Sequence, residues 1–104
     1  ALLAGDSVVF KQDSPWFEHF YHEMEPYKHY IPVNIELTDV VSKLEWAMKY
    51  NEKAQAIARN ARLFARNRLA AENVYCYYYR MLEKYNKTMD YQATIPGGYE
   101  EAVR

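Results

Sequence analysis

Gly5–Val33, GDSVVFKQDSPWFEHFYHEMEPYKHYIPV, carries the order of elements on which the fold turns. Ser7–Phe10 is a short apolar run of β type, Ser14-Pro15 a helix start, Pro26 a helix stop, and His29–Val33 a second β-type run. Ser14 is a good N-cap, and Pro15 follows at the first helical position, where its missing N–H costs nothing. Phe17, Phe20, Tyr21 and Met24 then recur at helical spacing. The expected unit is a strand over Ser7–Phe10, a helix over Trp16–Met24 and a strand over His29–Val33. In that order they form a βαβ crossover with parallel strands.

Working outward, no other segment reads as β, and two strands are too few for a buried parallel sheet. Upstream, Ala1-Leu2-Leu3-Ala4 lacks Met and reads as the last turn of a helix, with Gly5 as a left-handed C-cap. The expectation is therefore the C-terminal piece of a larger protein.

Downstream come three more helices. One opens at Thr38-Asp39 and ends near Tyr50, carrying Val40, Val41, Leu44, Ala47 and Met48 inward. Asn51 caps the next, whose stripe of Ala54, Ile57, Ala58, Ala61, Phe64, Ala65 and Leu69 is narrow and alanine-rich, permitting close approach to a neighbour. The last runs from about Glu72 to Tyr85 with Val74, Tyr78, Met81 and Tyr85 on its stripe. Beyond it, Ile95-Pro96-Gly97-Gly98 reads as a turn, so residues 1–85 are expected to be the ordered portion and 86–104 a loose tail.

The 104 residues balance 13 basic against 14 acidic side chains, a net charge of -1. That balance favours neither nucleic acid nor an anionic membrane as partner. No apolar run approaches the ~20 residues that span a bilayer. The single cysteine, Cys76, has no partner within the chain. At ~100° per residue it sits about 200° from Val74, beside Tyr79, Arg80 and Glu83, an unusual polar setting for cysteine.

Several constellations compete for function. Lys11, Gln12 and Asp13 follow the first strand and precede the expected helix N-terminus, where ligands of open α/β sheets and anions such as phosphate bind. Glu18/His22 and His19/Glu23 stand at i,i+4 on the expected helix, but such pairs are more often surface partners than metal ligands, and zinc wants further ligands. No metal is assigned. His29 reads as a packed, hydrogen-bonded residue of the second strand. Arg59, Arg62, Arg66 and Arg68 read as a solvated basic face. Tyr75, Tyr77, Tyr78 and Tyr79 wrap one helix, as in helices buried between domains.

VVFKQDSPWFEHFYHEMEPYKHYIPV resembles the C-terminal part of the capsule-associated-type glycosyltransferases, the family of Rumi-like protein O-glucosyltransferases and their relatives with C-terminal ER-retention signals. The likeness continues through Leu37-Thr38-Asp39, Leu44-Glu45-Trp46-Ala47, Ala58-Asn60-Ala61, Phe64-Ala65-Arg66-Asn67 and Val74-Tyr75-Cys76-Tyr77-Tyr78. It implies an α/β fold, the end of one Rossmann-like half of a GT-B enzyme, with two parallel strands and about four helices. It also implies an inverting transfer of glucose or xylose from a UDP-sugar to Ser of folded secretory-pathway domains in the endoplasmic reticulum lumen. No cofactor beyond that donor is implied. The family's main donor-binding block and catalytic Asp would lie outside this chain, so no catalytic residue is assigned here and Lys11, Gln12 and Asp13 are donor-adjacent at most. The family's matching cysteine pairs with one in the N-terminal region, which implies a disulfide for Cys76. Asn86-Lys87-Thr88 is an N-glycosylation sequon usable in the same compartment. A non-catalytic helical interaction module is the alternative, and a metal-binding domain a weaker one.

Overall fold

The computed structural model describes residues 2–91, 94 and 97. Among these residues it is a helix-rich α/β arrangement with a two-stranded sheet and three α-helices. Strand β1 is Phe10–Gln12 and β2 is Ile31–Val33; they pair in parallel, Phe10 opposite Ile31, Lys11 opposite Pro32 and Gln12 opposite Val33. The parallel pairing is as expected, but β1 begins where the sequence reading had it end.

Backbone bonds from Ile31 N–H to Val9 O (2.9 Å) and from Asp13 N–H to Val33 O (2.8 Å) flank the ladder. Ile31 and Val33 thus face β1, and alternation turns Pro32 toward the opposite edge of β2. With no N–H there, that edge is blocked as a donor, and proline in a sheet belongs at such an edge. Phe10 and Gln12 point their backbone groups to the far side of β1, which leaves the sheet extensible there.

The crossover holds no α-helix, contrary to the Trp16–Met24 expectation. Ser14 Oγ accepts the Trp16 N–H at 3.1 Å, so the cap bond forms, yet only a 3-10 turn, Tyr21–Glu23, follows. Helix nucleation is costly, and Trp, Phe, His and Tyr are middling helix formers. Packing would have to supply the difference, but Trp16 and Phe17 are 83% and 78% exposed. Phe20 and Tyr21 are half-buried and Met24 is buried. Leu2–Ala4 is likewise a single 3-10 turn, closed by Gly5 N–H to Leu2 O at 3.3 Å, and Gly5 is not left-handed.

Helix α1 is Val40–Lys49, α2 Asn51–Arg68 and α3 Ala71–Asn86. Ala54, Ile57, Ala58, Ala61, Phe64 and Ala65 of the expected stripe are buried, whereas Leu69 caps the end of α2 and is half-buried. Ile31, Ala47, Ala54 and Ile57 form the core cluster, with Val8, Phe10 and Trp46 against it. Only Ala47 of the expected inward residues of α1 is buried; Val41 and Met48 are well exposed. Asp39, the N-cap of α1, makes no side-chain cap bond, because its Oδ1 accepts the Asn34 N–H while Asn34 Oδ1 accepts the Thr38 N–H. α3 has no buried residue, and its expected stripe is exposed but for half-buried Val74. It touches the body through Tyr77, whose ring stacks on His19 at 4.1 Å. Apart from Gly97, the Ile95–Gly98 turn lies outside the described residues.

Candidate functional site

The carboxyl ends of β1 and β2 lie side by side at Gln12-Asp13 and Val33-Asn34, the position at which open parallel sheets bind ligands. Lys11 is a strand residue here, not part of the loop beyond. Its Nζ sits 4.4 Å from the Tyr21 ring centroid and 5.6 Å from that of Tyr30, so two aromatic faces hold the ammonium. It opens on a cleft of about 400 Å³ floored by Phe10, Phe20 and Met24. A second cleft of about 330 Å³ places Lys11 and Gln12 beside Trp16, Phe17 and Glu18. Gln12 is partly committed, since its Nε2 donates to Ile35 O at 2.6 Å and ties down the loop after β2. Asp13 is exposed. Burial first, and then the charge of Asp13, raise the Tyr30 hydroxyl above the ordinary tyrosine range. The Tyr30 hydroxyl therefore keeps its proton at neutral pH.

No helix follows these residues, so the helix dipole expected to draw phosphate is missing. What remains is one lysine ammonium against two aromatic rings. Sequence reasoning missed the tyrosines around Lys11. Helical spacing puts Tyr21 on a core-facing helix, whereas the irregular crossover turns it to the lysine. The one signal for Tyr30 was its place directly before Ile31.

The remaining candidates fare differently. Without a helix over residues 16–24, the i,i+4 pairings of Glu18/His22 and His19/Glu23 lose their basis. His19 stacks on Tyr77, and Glu23 pairs with Arg68 at 2.5 Å. Among the described residues no three His, Cys, Asp or Glu side chains gather as metal ligands would. His29 is buried in the turn before β2, accepting the Glu25 N–H on Nδ1 at 2.9 Å, with its ring 5.1 Å from that of Phe64. Burial, and then the Lys28 charge, lower its pKa, outweighing the opposing pull of Glu25. Of the basic face, Arg62 pairs with Asp6 and Arg68 with Glu23. Cys76 is a free, exposed thiol, and Asn86 is the last residue of α3.

Among the described residues two non-glycines are left-handed, Tyr27 at φ 58° and Leu37 at φ 59°. Bulky residues rarely adopt this conformation. Tyr27 is held by its N–H to Tyr30 O at 2.7 Å, a hydrogen bond from Lys43 Nζ to its hydroxyl, and the Trp46 ring 5.7 Å away. Those contacts fix the bend that aims Tyr30 and His29.

Compared with known proteins, the chain matches glycosyl transferase family 90 along residues 1–104. It belongs to that family. Protein O-glucosyltransferase 3 of Homo sapiens is 43% identical over 99 residues, which are 95% of this chain and 20% of that protein. Protein O-glucosyltransferase 2 of Danio rerio is 43% identical over the same share of each. Protein O-glucosyltransferase 1 of Homo sapiens is 34% identical over 102 residues, 98% of this chain and 26% of that protein. The chain thus spans about a fifth to a quarter of the length of these relatives. In this member of family 90, no helix among the described residues is long and apolar enough to cross a membrane.

Proposed function

We propose that this chain is the C-terminal, donor-side portion of an inverting protein O-glycosyltransferase that moves glucose or xylose from a UDP-sugar to a Ser hydroxyl on folded secretory-pathway domains. The observation that carries the reading is the match to glycosyl transferase family 90 along the whole chain, with relatives at 43% identity named protein O-glucosyltransferases. The physical features agree with a portion of a larger domain: a two-stranded sheet open along β1, and a tyrosine-rich α3 with no buried residue.

In the reaction the Ser oxygen bonds to the sugar's anomeric carbon as the bond from that carbon to UDP breaks on the opposite face. The Ser proton passes to a carboxylate base outside this chain. Here Lys11, between Tyr21 and Tyr30, would sit against the donor's diphosphate, with Gln12 and Asp13 alongside. Residues 1–85 form the donor-side portion and 86–104 a tail. The compartment is the endoplasmic reticulum lumen, where Cys76 forms a disulfide with a cysteine of the N-terminal region; such bonds persist in an oxidising lumen.

Calorimetry tests the division of labour. The chain alone should bind UDP negligibly, because most donor contacts lie elsewhere, while the full-length protein should bind it. Micromolar UDP affinity of the chain alone contradicts the assignment, as does a full-length protein that binds no UDP.

A further inference from the structure

We infer that Asn86 carries an N-linked glycan, and that it marks the side of α3 that stays open to solvent. Asn86-Lys87-Thr88 is an acceptor sequon with no proline in the middle. Its position supports use. Asn86 is exposed and closes α3, where helices fray. The turn beyond it is shallow: Thr88 N–H bonds Tyr85 O at 2.9 Å, and the Thr88 hydroxyl donates to the same oxygen at 2.7 Å. Those bonds are local and exposed, so little structure has to open for the asparagine to be reached.

At ~100° per residue, Asn86 shares a face with Tyr75, Tyr79 and Leu82 and lies opposite Tyr77. Tyr77 is the residue stacked on His19, so the glycan would point away from the body. Exposure follows the same division: Tyr75 is 73% and Tyr79 67% exposed, against 41% for Tyr77 and for Met81. Any covering of α3 in the larger protein then avoids the Tyr75–Tyr79–Leu82 face that Asn86 shares.

The donor is a lipid-diphosphate-linked oligosaccharide. The Asn86 amide nitrogen bonds to its anomeric carbon, the bond from that carbon to the diphosphate breaks, the lipid diphosphate leaves with the electron pair, and one amide proton is lost to the transferase's base.

The inference rests on the lumenal reading above, and the test separates the two. The full-length protein is expressed in cells with a secretory pathway, and intact microsomes are treated with protease before peptide mapping with and without an N-glycan-cleaving amidase. The expected result is a protease-protected protein whose Asn86 reads as Asp after the amidase. Asn86→Gln and Thr88→Ala should each remove one glycan's mobility shift, and Thr88→Ser should keep it. A protected protein with unmodified Asn86 overturns the glycan alone. A protein digested from the cytosolic side overturns both the glycan and the lumenal reading.

Discussion

Replacing Ile31 by Ala should remove the largest single contribution to the small core. Ile31 is fully buried and packs with Ala47, Ala54 and Ile57 beneath Phe10 and Trp46. Losing three buried carbons at ~0.8 kcal/mol each costs about 2.4 kcal/mol in transfer. The cavity adds to this, because β2 is pinned to β1 and cannot collapse inward, giving about 3–4 kcal/mol in all. With a urea dependence of roughly 1–2 kcal/mol per molar, the unfolding midpoint should drop by roughly 2 M. Trp46 reports the transition by fluorescence, since it packs on the core while Trp16 stays in solvent. Val41→Ala, at a site 67% exposed, should shift stability by no more than ~0.5 kcal/mol. Equal shifts for the two variants would refute the placement of the core around Ile31.

Ala61, fully buried on α2, leaves no room for a larger side chain, so Ala61→Leu should cost about 1–3 kcal/mol in the same urea titration. His29 titrates below its ordinary value because of burial and the Lys28 charge, and its neutral Nδ1 accepts the Glu25 N–H. The stability this provides is present above about pH 6.5 and is lost as pH falls toward the depressed folded value, where the unfolded chain binds the proton more readily. Midpoints measured between about pH 5 and pH 7.5 should therefore decline toward acid, and His29→Gln should flatten that slope. In the full-length protein, Lys11→Ala should raise the KM for the UDP-sugar ~10-fold, about 1.4 kcal/mol, without lowering the melting temperature; an unchanged KM removes Lys11 from the donor site.

The parallel pairing of the two strands and the alanine stripe of α2 were legible in the sequence, because both rest on local patterns that packing reinforces. The apolar runs Ser7–Phe10 and His29–Val33 stand on either side of a long crossover, and Ala54 to Ala65 repeat at helical spacing. The Trp16–Met24 helix was misread for the converse reason. Ser14-Pro15 is a sound start signal, but a start signal cannot sustain a helix whose Trp16 and Phe17 find nothing to pack on. That failure also moved the site, since Tyr21 turned from an expected core face to the Lys11 ammonium and no helix N-terminus formed beyond Asp13. The left-handed Tyr27 had no local signal, because Lys43 and Trp46, distant in sequence, hold its side chain. For α3 the sequence described a helix apolar on several sides, and the structure leaves those sides open.

The most direct test of the account is sugar transfer by the full-length protein carrying this chain, assayed with UDP-glucose and UDP-xylose and a folded secretory acceptor domain. Mass spectrometry of the acceptor should find one hexose or pentose on a Ser hydroxyl, with the β-anomer formed from the α-linked donor and one UDP released per transfer. A correctly folded protein that modifies no folded acceptor from either donor, or that retains the anomeric configuration, would contradict it.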